Sequence, residues 1–211
     1  MKKLLIVLFS LFLVTGCTNI YNMNYEEVIQ ILATKSNKTN TFRTGYSYYL
    51  PRNMQVVDST LYNEVLEDSM YKYYLYVDVV SYYKKVEKEY EINNQAIYST
   101  KISYDGKYGY AEVNLVKNDK YLVEIMYNYA KIEVIVDEDK CNEAMMSAIN
   151  ILKSVEYNDS IIANLLGDDI LNFYETEFNI FNTKGKEENY IKADDSYQEV
   201  EEKIPDPDLI N

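Results

Sequence analysis

The feature that most narrows the fold is the stretch from Ile97 to Val136, where the side-chain pattern repeats every second residue in four successive segments. Ile97 to Tyr104 is the first. Asp105-Gly106 follows it, a dipeptide suited to a two-residue hairpin because both positions of such a turn need φ > 0. Tyr108 to Val116 runs back and is closed by the polar turn Lys117-Asn118-Asp119-Lys120. Tyr121 to Tyr127 and Ile132 to Val136 complete the series, with a tight turn near Asn128-Tyr129-Ala130-Lys131. Period two is the signature of half-buried strands, and tyrosine and β-branched residues fit them. The stretch therefore predicts a four-strand antiparallel meander, and its apolar face needs a covering layer.

The next segment supplies one. Asp137, Glu138 and Asp139 suit a helix N-terminus, and Ala144, Met145, Ala148, Ile149 and Leu152 fall on one helical face. This predicts a helix over 138–153, with Ser154 to Tyr157 as a short closing strand. Upstream, Asn24 is placed to cap a helix over Tyr25 to Thr34, with Glu26 and Glu27 in its first turn and Val28, Ile31 and Leu32 as its stripe. From Phe42 the period changes to two: Tyr46, Tyr48 and Leu50 alternate until Pro51 ends the strand. Gln55 to Val57 is a second strand, and Leu61 to Leu66 is either a helical turn or the end of a hairpin. Tyr71 to Tyr83 reads as one long strand with Tyr73, Leu75, Val77 and Val79 on one face. Lys84, Glu87, Lys88 and Glu91 have the spacing of helical charge pairs.

The fold class is α+β: an antiparallel sheet from Phe42 to Val136, packed by the 138–153 helix. The globular domain spans 25–157. Residues 158–183 keep apolar content, including Leu165, Leu166, Ile170, Leu171 and Phe173, and read as a weakly docked helical extension. Residues 184–211 are acidic, poor in large apolar side chains, and carry Pro205 and Pro207. They are expected to be a disordered tail.

The first residues have a different layout. Lys2 and Lys3 precede an apolar run from Leu4 to Val14, broken only by Ser10, and the run ends in Val14-Thr15-Gly16-Cys17. A transmembrane helix needs about 20 apolar residues to cross a ~30 Å hydrocarbon core. This run is about half that, and Thr18 and Asn19 follow at once. The layout is that of a secretory leader, with a cysteine directly after the small residues. It resembles the lipobox of bacterial lipoproteins. That resemblance implies removal of residues 1–16, recognition of Val14, Thr15 and Gly16 by the signal peptidase, and a diacylglyceryl group on the Cys17 thiol. Residues 17–24 become a lipidated tether, and the protein is expected on the extracytoplasmic face of the cell membrane.

Composition then removes classes of function. The 211 residues carry 21 basic and 34 acidic side chains, a net charge of −13, and the leader holds no acid. Such a chain repels nucleic acid and anionic headgroups, so neither is expected as a direct partner. There is no histidine, which removes Ser-His-Asp and Cys-His nucleophiles and histidine-ligated metal centres. With Cys17 lipidated, Cys141 has no disulfide partner, and its acidic neighbours favour a packed, unreactive thiol. Twenty-four tyrosines and no tryptophan fit either codon bias toward AT-rich codons or a tyrosine-lined ligand face.

Three acidic groups stand out: Asp137/Glu138/Asp139, Asp168/Asp169 after Gly167, and Glu199/Glu201/Glu202. None has the spacing of a calcium loop, and helix-dipole complementation, a cap and a solvated tail explain them. Lys153 and Ser154 are adjacent, so in a strand they face opposite ways and form no dyad. No cofactor is expected. The function expected is a non-enzymatic binding or assembly module for an unknown protein or envelope ligand. The alternative is a lipid-anchored glycan hydrolase with two converging carboxylates. At this length, and without βαβ alternation, a two-lobed solute-binding protein fits poorly.

The order of elements carries a second resemblance. A first strand ends in Tyr46-Ser47-Tyr48-Tyr49-Leu50-Pro51. A charged crossover, a four-strand meander and a helix ending in Ile151-Leu152-Lys153-Ser154-Val155 follow. From Phe42 to Tyr157 this resembles the PsbP-like α-β-α sandwich. The resemblance implies an adaptor or assembly module without catalysis and transfers no functional residue.

Overall fold

Three turns set the main sheet. Asp105-Gly106, Asn118-Asp119 and Asn128-Tyr129 each place two successive residues at positive φ, between 51° and 68°. Paired left-handed residues give a turn the twist that flanking strands need. Around these turns run β6 (Tyr98–Tyr104), β7 (Lys107–Leu115), β8 (Tyr121–Tyr127) and β9 (Ala130–Val136), paired antiparallel in sequence order. The structure is a computed structural model and describes residues 23–167.

A second meander extends the sheet on the β9 side. It comprises β3 (Gln55–Ser59), β4 (Asn63–Glu67) and β5 (Lys72–Val77), and the final order is β3-β4-β5-β9-β8-β7-β6, antiparallel throughout. Leu61 to Leu66 thus resolves as hairpin. Register is held closely at Gly109, opposite Tyr127: a Cβ there would lie 1.9 Å from the Met126 carbonyl oxygen.

The expected single sheet beginning at Phe42 is corrected. β1 (Thr41–Arg43) and β2 (Tyr46–Tyr48) form a separate three-stranded sheet with β10 (Glu156–Tyr157), which pairs with β2. Pro51 and the turn after it end the strand before it reaches β3, and Phe42 is exposed.

The long strand expected over Tyr71 to Tyr83 is also corrected. It stops at Val77, and α2 (Val79–Lys84) begins after Asp78, whose Oδ1 accepts from the Ser81 amide at 2.8 Å. Numbering the helices in chain order, α1 is Tyr25–Ile29 and runs into a 3₁₀ turn over Gln30–Ala33. Asn24 caps α1 in a box: the Glu27 amide donates to Asn24 Oδ1 at 2.9 Å, and the Asn24 amide donates to Glu27 Oε2 at 2.8 Å. Lys85 takes a left-handed conformation (φ 53°) and ends α2. The helix therefore does not continue through Glu91, as the charge spacing of Lys84 to Glu91 allowed, and residues 86–97 run as an irregular strap.

The meander is covered by α3 (Cys141–Leu152), which packs on β8 and β9 and against α1. Met145, Ile149, Ile151 and Leu152 are fully buried with Leu66, Leu75, Val113, Val123, Ile125, Ile132 and Val134. Burying one such side chain is worth about 1.5–3 kcal/mol. Cys141 is buried and free, and burial first, then the acidic residues beside it, push its thiol up. Lys153 Nζ donates to Thr34 Oγ1 at 2.8 Å and so locks the helix end to the α1 segment. α4 (Asp159–Gly167) packs on α2, with Ile162 fully buried. Among the described residues, no helix is long and apolar enough to cross a membrane.

Candidate functional site

The two faces of the large sheet differ. Tyr73, Leu75, Val113, Val123, Ile125, Ile132 and Val134 point toward the helices, and burial drives the Tyr73 phenol up beside Asp68 and Glu143. Alternation sends their neighbours to the opposite face. There the pairing aligns one continuous row: Tyr74 on β5, Glu133 on β9, Glu124 on β8, Glu112 on β7 and Ser99 on β6, each directly opposite the next. The adjacent row is Tyr76, Lys131, Met126, Tyr110 and Lys101. Three carboxylates thus stand side by side on three neighbouring strands. Like charges directly opposite one another destabilise a sheet, so the row must be balanced locally.

Lys131 provides part of the balance. It is 2 % exposed, and its ammonium is paired with Glu133 and lies 4.0 Å from Glu124 Oε2. Tyr110, also buried, donates its hydroxyl to Glu124. Burial is the main influence on Glu124 and pushes its carboxyl up to about 7, Lys131 opposing and Glu133 adding to the rise. Glu112 is satisfied differently. Asn93 Nδ2 and Asn114 Nδ2 each donate to its Oε1 at 2.7 Å, and the Tyr90 hydroxyl bonds its other oxygen. Tyr90 also lies flat on Tyr110, centroids 4.1 Å apart and planes 1° off parallel. The strap carrying Tyr90 and Asn93 therefore covers the β6–β7 end of this face.

A second buried carboxylate joins the two sheets. Glu64 on β4 accepts from Tyr46 Oη at 2.8 Å, Tyr48 Oη at 2.9 Å, Arg43 Nε at 3.0 Å and Arg43 Nη2 at 2.6 Å. Burial raises both phenols first, and the Glu64 charge adds to it.

The same device recurs. Tyr71 donates to Asp137, Tyr73 to Asp68 and Tyr98 to Glu26, at 2.8–3.1 Å. With 34 acids against 21 bases and no histidine, phenols serve as the donors that cations do not supply. Part of the tyrosine excess is thereby placed. A separate aromatic group stacks Tyr82 on Tyr157 at 3.7 Å, with Tyr129 edge-on and the Lys85 ammonium 3.7 Å from the centre of the Tyr82 ring. Beside it lies a shallow depression of about 380 Å³ lined by Tyr83, Lys85, Asp159, Ser160 and Ala163.

Val14, Thr15, Gly16 and Cys17 lie outside the described residues, as do Asp168/Asp169, Glu199/Glu201/Glu202 and the 184–211 tail. Asp137 accepts Tyr71 and, at 2.6 Å, the Lys120 ammonium; Glu138 and Asp139 sit in the turn that leads into α3. Among the described residues no group of three or more potential ligands is arranged to hold a metal ion. Ser154 Oγ donates to the Ile151 carbonyl and accepts from the Tyr49 amide, while Lys153 points to Thr34, so the two make no dyad. The row Glu112–Glu124–Glu133 is not among the acidic groups that stand out in the sequence. Its signal is a lone glutamate inside each of three consecutive apolar strands. No family model matches the chain, and no curated protein or solved structure was found to be similar to it.

Proposed function

We propose that the chain is a lipoprotein held on the extracytoplasmic face of the cell membrane through Cys17, and that it acts as a binding or assembly module rather than an enzyme. The observation that carries this reading is the leader Lys2 to Gly16 ending at Cys17. The short element order that resembles PsbP-like adaptors supports the module half of it. Membrane affinity then comes from the lipid, since two acyl chains hold stably where one holds marginally. Cys17→Ser should abolish lipid labelling and shift the protein to the soluble fraction. Unlabelled wild-type protein in the soluble fraction would overturn the reading.

One observation favours the hydrolase alternative. Glu124, raised to about 7 beside Glu133, has the environment a general acid uses. Both carboxyls are buried and already bonded by Tyr110 and Lys131, which speaks for a structural pair. Release of reducing ends from envelope polysaccharide by the wild type, lost in Glu124→Gln, would move the assignment to the hydrolase.

A further inference from the structure

Glu124 stands between two other carboxylates, Glu112 on β7 and Glu133 on β9, with a single cation in contact. The groups that face it are Tyr110 and Glu112 from β7, Lys131 and Glu133 from β9, and Tyr90 from the strap, with Tyr74 and Tyr76 beyond on β5 and the exposed Lys101 on β6. We propose that Glu124 carries a proton at the centre of this row, and that its loss releases the strap of residues 86–97, so that pH sets how much of the sheet face is open.

With the proton in place the charges balance. Glu124 lies directly opposite Glu133 on the neighbouring strand, so a proton on Glu124 can be shared with Glu133, which also accepts from Lys131. Glu112 is bonded by Tyr90, Asn93 and Asn114. When the proton passes to solvent, a third negative charge appears between two others in one row. A buried charge without hydration is costly, so the row then favours any opening that admits water. The helical side offers none, because Val123 and Ile125 beneath Glu124 are fully buried. The strands offer none cheaply, because β8 is paired along its length on both sides. The strap is different. Its contacts include side-chain bonds from Tyr90 and Asn93 to Glu112 and Ser99, the Tyr90–Tyr110 stack, a Lys88–Asp78 pair at 3.6 Å, and backbone bonds near its two ends, from Val86 to Ser81 and from Ile97 to Val113, so its middle is fastened to the sheet through side chains. Its departure exposes Glu112 and uncovers the ring of Tyr110, whose hydroxyl donates to Glu124.

The sign follows from burial, which raises Glu124 in the closed form toward about 7, while the open form returns it to the ordinary glutamate range. The closed form binds the proton more tightly, so opening grows as pH rises through that window and levels off above it. Between pH 5 and pH 8 the strap's opening equilibrium should increase by up to about a hundredfold. This inference stands whether or not the chain is lipid-anchored.

The test is amide hydrogen exchange across 86–97 in the full-length protein at pH 5 and pH 8, corrected for intrinsic rates, with Glu124→Gln alongside. Glutamine accepts from Tyr110 and donates to Glu133 without a charge, so the variant's strap should respond little to pH while the wild type opens. A wild-type strap insensitive to pH, or a variant that opens as much as the wild type, overturns the proposal. A ¹³C titration of the wild-type glutamate carboxyls reads the same point without a variant. One carboxyl titrating near neutrality supports it, and all of them titrating in the ordinary acid range overturns it.

Discussion

Replacing Glu64 by alanine should be among the most damaging single changes in the described structure. Its side chain is fully buried and takes four hydrogen bonds from three residues. Alanine leaves the buried Tyr46 and Tyr48 hydroxyls without their acceptor between the two sheets. Each buried donor stranded in this way costs about 1–3 kcal/mol. Arg43 loses its partner too, but its side chain is 27 % exposed and turns to water, so its share falls below the ~3–5 kcal/mol of a fully buried broken pair. A total loss of about 3–6 kcal/mol follows, comparable with the ~5–15 kcal/mol that holds a domain folded. Urea unfolding at neutral pH measures it. Glu64→Gln, which keeps one acceptor oxygen, should lose clearly less, and a cycle with Arg43→Met should be non-additive. A loss below about 1 kcal/mol for Glu64→Ala would refute the argument that this carboxylate fastens the small sheet to the large one.

Ile149→Ala should cost about 2–5 kcal/mol in chemical denaturation, because the side chain is fully buried where α3 meets the sheet; a change within ~0.5 kcal/mol would mean the helix does not pack there. Gly109→Ala should lower the melting temperature sharply, since the added Cβ meets the Met126 carbonyl at 1.9 Å; an unchanged melting curve would put the β7–β8 register in error. The Asp137 carboxyl is held below its ordinary range first by the Lys120 hydrogen bond and then by Tyr71, so Lys120→Ala should move its titration upward; an unmoved midpoint in an NMR titration would count against that pair.

Where local chemistry decides the structure, the sequence is readable. Asp105-Gly106 locates one hairpin because few other dipeptides tolerate two positive φ values. Asn24 with Glu27 locates the start of α1, and the apolar spacing from Ala144 to Leu152 locates α3 and its buried face, with Met145, Ile149 and Leu152 in the core. Tyr82 and Tyr83 favour a strand by propensity, yet the Asp78 cap turns the chain into α2, and a β-propensity argument does not weigh a cap. The division into two sheets depends on where β10 returns to pair with β2, a contact about 110 residues apart in the chain that no local pattern encodes. The glutamate row lies between these cases. The two-residue turns at Asp105-Gly106 and Asn128-Tyr129 fix the opposition of Ser99 to Glu112 and of Glu124 to Glu133. The step from Glu112 to Glu124 depends on the longer turn at Asn118-Asp119, whose register the sequence leaves open. The contacts that Tyr90 and Asn93 bring to Glu112 depend on the path of the strap over the sheet, which no local pattern encodes.

The central claim is that Cys17 is the lipid-bearing N-terminus of a membrane-held module. Mass spectrometry of the N-terminal peptide from the membrane fraction addresses it directly. The account predicts a peptide beginning at Cys17 and carrying the mass of a diacylglyceryl group on the thiol. A peptide retaining Met1, or one starting elsewhere with an unmodified Cys17, would contradict it.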